Sequence, residues 1–550
     1  MATHKYKYKT FSCFNKTFTN KEPGPPPDVI HAFHSFSSPG AASMNADNLL
    51  RFLNDHQRDP HCTLDDSLHI IQSLKGDHKT DVGLTLDDFF HFLLRDDLNS
   101  PLKSEVHHDM NAPLSHYFIF TGHNSYLIGN QLTSDCSDVP IVAALVRGVR
   151  VIELDLWPNS AKDDVEVFHG RTLTSPVSLR QCLRSIKEHA FDTSTYPVII
   201  TFEDHLTPEL QAVVAEMVTE IFGEMLYYPE TDMLSEFPSP ESLKGRILIS
   251  TKPPIECLED KETDEKGDED MNSSDEKSYK QSAPKYTRLI TIHAGKSKGD
   301  FKEDLKVEGK VKRLSLSESK LDKASESFGP DLVRFTQKNI LRVYPKGIRI
   351  TSSNYKPQVA WTHGAQMVAF NMQGHGKSLW FMQGLFKANG GCGYVKKPDF
   401  LVEKGPNNEV FDPKRTLPVN KTLKVKAYLG IGWSTDFSLT DFDSNSPPDF
   451  YIKMDIAGVP ADKGKKKTKT IKNNWFPVWE EEFEFPFSVP DLAMLRIQVK
   501  EEDRTEKDDF AGQTCLPISD LKSGLRSIPL YDEKGEKYKS VRLLMRFQFK

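Results

Sequence analysis

The sequence predicts three kinds of domain in one chain: an α-helical region, a TIM-type (β/α)8 barrel divided by an insert, and an antiparallel β-sandwich. Apolar residues recur with helical spacing between about 28 and 105. Short β-like runs then alternate with helical stretches from 117 to 371, and an acidic segment interrupts them. After residue 420 the periodicity becomes purely two, which is typical of antiparallel strands.

Residues 1–110 are predicted to form an EF-hand-like helical region. Segments such as "LTLDDFFHFLLRDD" place apolar residues at i, i+3 and i+4 behind a capping Thr or Asp. Paired helices of this kind suggest EF-hand architecture, but the sequence lacks the D-x-D-x-D-G spacing that supplies calcium oxygens. We therefore expect a helical support without bound metal.

The barrel region is predicted from eight β-like runs separated by helical stretches. The runs are "YFIFT" (117–121), "VRVIELDLW" (149–157), "VEVFH" (165–169), "YPVIITFED" (196–204), "GRILIST" (245–251), "RLITIHA" (288–294), "NILRVYP" (339–345) and "MVAFN" (367–371). Eight strands with intervening helices are what a (β/α)8 barrel needs, although a doubly wound sheet would give a similar string.

An acidic segment divides this region. Residues 258–277 contain ten Asp and Glu against three Lys and almost nothing apolar, which predicts a disordered acidic linker over 257–284. The first half of the barrel is then expected over 111–256 and the second half over 285–404. Residues 420–550 form the separate β-sandwich.

Composition limits the function classes. Seven cysteines stand singly with no CxxC pair, which favours a reducing compartment and argues against a zinc site or a disulfide framework. The sequence has no run of 18 apolar residues and no apolar signal core, so we expect a soluble cytoplasmic protein. A formal charge of −7 gives no reason to expect nucleic acid as a partner.

Two carboxylates lie inside the apolar run "VIELDLW" (151–157). Side chains alternate along a strand, so Glu153 and Asp155 must point to the same face. Two buried like charges are costly unless something positive lies between them. The candidates are a metal, a cationic substrate, or an Arg or Lys partner.

Further polar residues follow the ends of the predicted strands, where loops are often polar for no functional reason. Repetition over five successive strands favours a site, because in a parallel barrel all carboxyl ends open on one rim. Three carboxylates and an amide oxygen suit calcium or magnesium, and two histidines suit acid–base chemistry. These strand-end residues are His123, Asn124, Glu153, Asp155, His169, Glu203 and Lys252.

Several motifs together resemble those of a eukaryotic phosphoinositide-specific phospholipase C, of the short plant-like type without a pleckstrin-homology domain. They are "GHNSYL" (122–127), "VIELDLW", "VFHGRTLTSPVSL" (167–179), "ITFEDHL" (200–206), "RVYPKGIRITSSNYKP" (342–357) and "FKANGGCGYVKKP" (386–398), in the family's order. The resemblance covers nearly the whole chain. It implies an EF-hand-like region, catalytic X and Y halves flanking a variable linker, and a C2 domain.

The resemblance also implies roles in the barrel. Four residues would ligate a catalytic calcium: Asn124, Glu153, Asp155 and Glu203. His123 and His169 would be catalytic, one stabilising the phosphorane and one protonating the leaving group, with Glu153 favoured as the base. Substrate contacts would come from Lys252, Ser315, Arg342 and Tyr344. Ser250 replaces a second lysine of animal members, which predicts weaker discrimination between mono- and bisphosphorylated inositides.

Membrane contact is implied for the C2 domain and for the barrel rim. The C2 calcium ligands would be Asp443, Asp449, Glu501, Asp503 and Asp509, and the rim residues would be Leu132, Leu173 and Ile348. The basic run at 462–474 either faces an anionic leaflet or is an ordinary hairpin loop. The expected partners are a phosphoinositide lipid and an anionic membrane surface, with calcium-dependent peripheral binding at the plasma membrane.

The function implied is calcium-dependent hydrolysis of phosphatidylinositol 4,5-bisphosphate, and also of phosphatidylinositol 4-phosphate, through a cyclic phosphodiester. The products would be diacylglycerol and soluble inositol phosphates that serve lipid signalling. Two alternatives stay open. One is a catalytically silent membrane-binding scaffold, and the other is a barrel phosphodiesterase acting on glycerophosphodiesters, which would not need a C2 domain.

Overall fold

The computed structural model of the chain describes residues 2–10, 14–76, 83–231, 233–253, 283–295, 299–503 and 507–550. The fold divides into two compact units. The first comprises Met1–Ser104, Gln383–Leu385 and Thr416–Lys550, and the second comprises Glu105–Met382 and Phe386–Arg415. Of the predicted acidic linker, residues 257–282 lie outside the described residues.

The first unit begins with an antiparallel hairpin and a set of short helices. Its elements are β1 (Thr3–Thr10), β2 (Phe14–Lys21), α1 (Pro27–Phe36), α2 (Ala46–Arg51), a π-helical turn (Phe52–His56), α3 (Leu64–Lys75) and α4 (Leu86–Leu94). Thr63 and Thr85 begin α3 and α4 with reciprocal capping boxes, as the capping residues in the sequence predict. A backbone bridge between Met44 and Leu84 joins the two helix pairs.

The second unit contains a parallel barrel. Its strands are β3 (Tyr117–Gly122), β4 (Val151–Pro158), β5 (Val165–Val167), β6 (Val177–Ser178), β7 (Val198–Asp204), β8 (Ile247–Thr251), β9 (Ile290–His293), β10 (Arg313–Ser317), β11 (Ile340–Tyr344), β12 (Met367–Phe370) and β13 (Tyr394–Lys396).

Helices connect these strands. They are α5 (Val139–Val146), α6 (Leu179–His189), α7 (Pro208–Phe222), α8 (Pro284–Thr287), α9 (Phe301–Asp304), α10 (Glu318–Ser327), α11 (Gly329–Thr336), α12 (Gln358–Thr362), α13 (Lys377–Leu385) and α14 (Asp399–Val402).

Eight parallel strands follow one another in the sheet as β10, β11, β12, β3, β4, β7, β8 and β9. A parallel bridge between Ala294 and Arg313 connects the two ends of this series and nearly closes the barrel. Apolar side chains fill the half of the barrel at the amino ends of the strands, where the core includes Ile119, Val151, Ile199, Leu248, Ile292, Ile340 and Met367. The open half therefore lies at the carboxyl ends.

One strand assignment from the sequence is wrong. The run "VEVFH" contributes only β5, which pairs antiparallel with β4 and lies off the barrel series. The eighth barrel strand is β10, "RLSLS", which the sequence analysis did not assign. Alternating serines make β10 look polar in the sequence, although both of its leucines are buried in the barrel wall.

The C-terminal part of the first unit is an antiparallel β-sandwich. It consists of β14 (Lys421–Ile431), α15 (Trp433–Asp436), β15 (Phe450–Ala457), β16 (Gly464–Lys467), β17 (Val478–Phe487), β18 (Met494–Glu501), β19 (Asp509–Pro517), β20 (Gly524–Tyr531) and β21 (Lys537–Phe549). The strands follow the order β16, β15, β18, β19, β20, β21, β14, β17 and enclose a core that contains three buried tryptophans.

The sandwich and the N-terminal helices share a second core. Tyr428, Leu429, Leu525 and Leu544 of the sandwich pack with Phe52, Phe89 and other apolar residues of the helices. The Arg526 side chain, which is buried, donates hydrogen bonds to the Gln57 carbonyl and the Asp59 carboxylate, both at 2.9 Å. Among the residues that the structure describes, no helix has the length and apolar character needed to traverse a bilayer.

Candidate active site

A cavity of about 580 Å³ opens at the carboxyl ends of the barrel strands. Each strand positions its side chains there because residues at the carboxyl end of a parallel strand leave the sheet at the same rim. All ten predicted barrel residues line this cavity: His123, Asn124, Glu153, Asp155, His169, Glu203, Lys252, Ser315, Arg342 and Tyr344. His169 is among them although its strand, β5, lies outside the barrel series.

The three predicted carboxylates converge. Glu153 and Asp155 on β4 are 3% and 4% exposed, and Glu203 on the neighbouring β7 is exposed to the cavity. One oxygen from each lies within 4.8 Å of the others, which is close enough to share a cation. Asp155 and Glu203 are directly paired in the parallel register, so adjacent strands create this proximity.

An arginine compensates one of these charges. The Arg342 guanidinium donates to Glu153 Oε1 in a buried ion pair. Burial alone would raise the pKa of Glu153, but Arg342 and His123 outweigh it and hold that pKa below its usual range. Of the three partners that the sequence left open for the carboxylate pair, an arginine therefore accounts for Glu153.

Asp155 has no such partner. Burial raises its pKa well above the usual range, and the neighbouring charges of Glu203 and Glu153 raise it further. Within the described residues, no hydrogen bond reaches the buried Asp155 Oδ1. Such a carboxyl must either keep a proton or bind a cation. The all-oxygen donors, Asp155 with Glu203, Glu153 and the Asn124 amide oxygen, fit a hard divalent ion such as calcium.

Hydrogen bonds fix the tautomers of both histidines. His169 Nδ1 lies 2.7 Å from the Gln131 carbonyl oxygen, which can only accept, so Nδ1 carries the proton. His123 Nδ1 lies 2.9 Å from Asn371 Oδ1 in the same manner. Nδ1 of each ring is therefore committed to this hydrogen bond and Nε2 is left for proton transfer, and burial lowers the pKa of His123.

Two amide side chains that the sequence analysis missed connect these groups. Gln131, which is 7% exposed, accepts a hydrogen bond from Asn124 Nδ2 at 3.0 Å and donates one to Asn371 Oδ1 at 3.2 Å. Its main-chain carbonyl accepts from His169. Gln131 and Asn371 thus link both histidines to a predicted metal ligand. Loop amides are common, so nothing singles out Gln131, whereas Asn371 ends the predicted strand run "MVAFN" and shows the same strand-end pattern as the predicted residues.

Arg313 is a second arginine in the cavity, and the sequence did not predict it. Arg313 on β10 lines the cavity and is 5% exposed, and its Nη1 donates to Thr201 Oγ1 at 3.2 Å. Burial and the nearby Arg342 lower its pKa to about 9. Thr201 is paired with Ser250 in the β7–β8 register. Arg313 therefore brings positive charge next to Ser250, which replaces a second lysine of animal members of the family.

The remaining substrate residues lie where the sequence predicts them. Lys252 follows β8 and is exposed, and Ser315 on β10 is paired with Arg342 on β11. The Arg342 guanidinium lies 5.5 Å from the centre of the Tyr344 ring. The Ser250 side chain is buried and donates to the Ile292 carbonyl at 3.1 Å.

The three rim residues are strongly exposed. Leu132, Leu173 and Ile348 have exposed fractions of 41%, 80% and 76%. The Leu173 N–H donates to the Leu132 carbonyl, so two of them lie on adjacent loops. Ile128 and Ile350, at 52% and 48%, add apolar surface that the sequence analysis did not note.

Most of the predicted C2 calcium ligands also lie close to one another. Burial and the charges of Asp443, Asp449 and Asp509 raise the pKa of Glu501 to about 7. Glu501 is paired with Asp509 across β18 and β19, and its Oε1 accepts from the Asp449 N–H at 3.3 Å. Asp503 follows two residues after β18. Within the described residues these oxygens do not converge as tightly as those in the barrel.

Three family models match the chain. The phosphatidylinositol-specific phospholipase C X domain matches residues 110–253, the Y domain matches 286–400, and the C2 domain matches 422–532. These three ranges correspond to the first half of the barrel, its second half and the sandwich.

Several known proteins are similar over most of the chain. Phosphoinositide phospholipases C 6 and C 2 of Arabidopsis thaliana are 56% and 54% identical over 99% of this chain, and the matches cover 97% and 100% of those proteins. The mouse 1-phosphatidylinositol 4,5-bisphosphate phosphodiesterase delta-3 is 34% identical over 78% of this chain and 56% of its own length. The crystal structure of S. officinalis PLC21 superposes with a TM-score of 0.74 at 26% identity and covers 96% of this chain and 68% of that one.

Proposed function

Since the chain belongs to the phosphoinositide-specific phospholipase C family, we propose that it hydrolyses phosphatidylinositol 4,5-bisphosphate, and phosphatidylinositol 4-phosphate, in a calcium-dependent reaction. Diacylglycerol stays in the membrane and soluble inositol phosphates leave it. One mouse relative is named for the 4,5-bisphosphate substrate. The single observation that carries the proposal is the barrel cavity, which combines three converging carboxylates with two histidines whose Nδ1 atoms are held by acceptors, leaving Nε2 for chemistry.

Cationic and hydroxyl groups of the cavity would bind the headgroup. Lys252 and Arg342 supply charge for ring phosphates, Ser315 supplies a donor, and Tyr344 supplies a flat face for the inositol ring. Arg313 adds a further buried cation beside them. An anionic headgroup gains more from such charges inside a barrel than in water, because the surrounding dielectric is low.

The attacking group would be the inositol 2-hydroxyl, and the bond broken would be the one between phosphorus and the diacylglycerol oxygen. Glu153 is the favoured base, since Arg342 and His123 keep it ionised. One histidine would stabilise the charge on the phosphorane by donating a hydrogen bond from Nε2, and the other would transfer its Nε2 proton to the leaving oxygen. Each would do so as an imidazolium whose Nδ1 stays held by its acceptor. The cyclic phosphate formed is then opened by water.

Asn124, Glu153, Asp155 and Glu203 would bind calcium. When bound, calcium would lower the pKa of the attacking hydroxyl and neutralise charge on the phosphate oxygens. The buried Asp155 supports this ligand set, because a cation would remove the cost of burying its charge.

The C2 domain would bring the enzyme to its substrate. We propose that Asp443, Asp449, Glu501, Asp503 and Asp509 bind calcium and that the exposed rim residues Leu132, Leu173 and Ile348 contact lipid. A cytoplasmic protein with these features would bind the plasma membrane peripherally when calcium rises. The raised pKa of Glu501 supports the C2 site, since crowded carboxylates favour a cation.

The decisive experiment measures water-soluble inositol phosphates released from mixed vesicles containing phosphatidylinositol 4,5-bisphosphate across a calcium titration. We expect calcium-dependent release by the wild type and a loss of at least about 100-fold for His169→Ala. His189→Ala, a surface histidine on α6 that pairs with Asp192, is the matched control and should keep full activity.

Two outcomes would contradict the proposal. Release that does not depend on calcium would exclude the metal, and no release at any calcium concentration with vesicle binding intact would favour the scaffold alternative. Calorimetry gives a second readout, because Glu153→Gln with Asp155→Asn should abolish calcium binding in the barrel. Parallel assays with phosphatidylinositol 4-phosphate test the substrate range, and comparable rates for the two lipids are expected.

A further inference from the structure

The N-terminal hairpin has an unusual charge for this chain. The first 21 residues contain five lysines and neither Asp nor Glu, whereas the whole chain has a formal charge of −7. This segment lies inside the region 1–110 that the sequence predicts to be helical, and no separate element is predicted for it. Its Lys-Tyr alternation, "THKYKYKT", becomes β1 in the structure.

The two faces of the hairpin differ in chemistry. Side chains alternate along β1, so Tyr6 and Tyr8 share one face and Lys5, Lys7 and Lys9 share the other. Tyr8 is 2% exposed, while the three lysines are all exposed. Lysines two residues apart on a strand are about 7 Å apart, which produces a dense cationic row.

The tyrosine face anchors the hairpin to the C2 domain. The Trp475 indole N–H donates to the Tyr8 hydroxyl at 3.0 Å, and the Tyr6 ring packs 6.1 Å from the Trp475 ring. Asn20 on β2 donates to the Asn473 carbonyl at 3.0 Å and accepts from the Trp475 N–H at 3.3 Å. The hairpin therefore moves with the sandwich instead of extending freely from it.

The anchor lies next to the acidic loops. The Asn473 N–H donates to Asp449 Oδ1 at 2.7 Å, so one residue contacts both the hairpin and a proposed calcium ligand. Asp443 is close enough to Tyr8 to contribute to the raised pKa of that phenol. The hairpin thus borders the end of the sandwich that would contact lipid.

The lysine row has no ion-pair partner within the described part of the chain. Among the residues that the structure describes, no hydrogen bond or ion pair engages the side chains of Lys5, Lys7, Lys9 or Lys21. An unpaired cationic row is complementary to an anionic surface, and its attraction does not need calcium. The neighbouring acidic loops would repel the same surface until calcium binds.

We propose that the N-terminal hairpin is a second membrane-contact element of the C2 domain and that its lysine row binds anionic lipid without calcium. The inference deepens the proposed function, because it names the lipid surface on which that enzyme would work. The row would hold the enzyme at an anionic leaflet at resting calcium, and the acidic loops would add their contact when calcium rises. Each lysine near such a leaflet strengthens binding about fivefold at low salt.

The test measures sedimentation of the full chain with vesicles of phosphatidylcholine and phosphatidylserine in the presence of a chelator. Lys5→Glu with Lys7→Glu and Lys9→Glu should weaken binding at least about tenfold, and the corresponding Lys→Arg triple should bind like the wild type. The matched control reverses three exposed charges of the barrel unit, Arg184, Lys187 and Lys338 to Glu, and should bind like the wild type. The wild-type affinity should fall steeply with salt.

Several results would overturn the inference. They are unchanged binding by the Glu triple, an equal loss in the barrel control, or binding to pure phosphatidylcholine vesicles that matches binding to the anionic ones. A second assay distinguishes failure of this inference from failure of the proposed function. It measures hydrolysis of a short-chain substrate below its micellar concentration, where no membrane is needed. The Glu triple should hydrolyse this substrate at the wild-type rate, because the hairpin lies outside the cavity.

A second measurement needs no variant. Acetylation of the wild-type chain with an amine reagent, followed by mass spectrometry, reports which lysines vesicles protect. Lys5, Lys7 and Lys9 should be protected severalfold by anionic vesicles in chelator, and Lys187 should not. Equal labelling of the hairpin lysines with and without vesicles would overturn the inference even if the Glu triple failed to fold.

Discussion

At the residue scale, the cavity depends on hydrogen bonds whose direction can be assigned. The Gln131 carbonyl can only accept, so it fixes the proton of His169 on Nδ1 and keeps Nε2 for chemistry. The Gln131 side chain also contacts Asn124 and Asn371, and Asn371 holds His123. One glutamine is therefore a positioning residue for both histidines and for the proposed metal site.

We expect Gln131→Leu to lower kcat and the calorimetric affinity for calcium by about 10- to 100-fold with little change in KM, because Asn124 and Asn371 lose the group that orients them. Stability should fall by about 1–3 kcal/mol, since buried amides are left unpaired. Gln373→Leu is the matched control, because the only contact that Gln373 has in common with Gln131 is a hydrogen bond to Ser352 Oγ. Activity of Gln131→Leu within twofold of the wild type would exclude the positioning role.

His116 supports a prediction about pH. Burial and the nearby Lys397 lower its pKa to about 4, whereas an unfolded chain has a histidine pKa near 6.5. Above pH 6.5 neither state is charged. Between pH 6.5 and 4 the unfolded chain takes up a proton that the folded protein does not, so stability falls as pH falls through this range.

This loss should be on the order of 1–2 kcal/mol after allowance for the partial exposure of the ring. Denaturant unfolding of the wild type and His116→Gln at pH 7.5 and pH 4.5 measures it. The variant should lose less stability than the wild type between the two pH values. An identical loss in both proteins would show that His116 does not contribute.

Individual residues could be predicted only when a motif contained them. Glu153 and Asp155 were found because two carboxylates in an apolar strand contradict the burial pattern, and the histidines were found because they follow strand ends. Arg342 as the partner of Glu153 could not be found, because 189 residues separate them and only the closed barrel brings them together. Gln131 carries no signal of its own, whereas Asn371 follows the end of β12 and could have been found by the rule that found the histidines.

At the element scale, close approach of two backbone segments limits which residues fit. Gly393 precedes β13, and its φ of +84° is in the left-handed region. A Cβ at this position would overlap the Gly148 carbonyl oxygen and lie 2.5 Å from Arg150 Cγ. Arg150 cannot move easily, because it is buried and donates to the Ala190 carbonyl at 2.7 Å.

We therefore expect Gly393→Ala to destabilise the barrel by about 3–5 kcal/mol, from the backbone conformation and the clash together. Gly391→Ala is the matched control. Its φ is +70°, but a Cβ there would meet only the Phe386 carbonyl oxygen at 4.0 Å, so about 1 kcal/mol is expected. Chemical denaturation of both variants gives the comparison, and equal losses would rule out the clash.

Element type was easier to predict than strand pairing. The apolar runs of β3, β4, β7 and β8 were assigned correctly, because both faces of a parallel barrel strand are buried. The run "VEVFH" was predicted as a barrel strand in place of "RLSLS". The local sequence pattern does not show whether a strand pairs parallel or antiparallel. The Lys-Tyr alternation of β1 is also a period-two signal, and it lies within the region 1–110 that the sequence predicts to be helical.

At the scale of the whole molecule, the two parts of the first unit depend on each other. Leu525 and Leu544 of the sandwich are fully buried, and both pack into the core of the N-terminal helices. The Arg526 guanidinium is buried against the same helices. The division into separate helical and C2 domains that the sequence suggests therefore does not correspond to two independent cores.

We expect residues 420–550 alone to be markedly less stable than when combined with residues 1–104, because fully burying each large apolar side chain is worth about 1.5–3 kcal/mol. Differential scanning calorimetry of 416–550 with and without co-expressed 1–104 measures this. The complex should melt at least about 10 °C higher, and the isolated sandwich should tend to aggregate. If the isolated sandwich and the complex had melting temperatures within 2 °C of each other, the shared core would contribute little to stability.

The barrel halves on either side of the acidic segment each provide four of the eight parallel strands, and β8 and β9 are adjacent in the sheet. Among the described residues, every hydrogen bond between barrel strands lies outside this segment, so a protease cut within it would leave those bonds in place. The predicted metal ligands and both histidines come from one fragment, and the two buried arginines come from the other. The enzyme is thus suited to two-fragment complementation, in which catalysis reports that two separately made polypeptides have assembled.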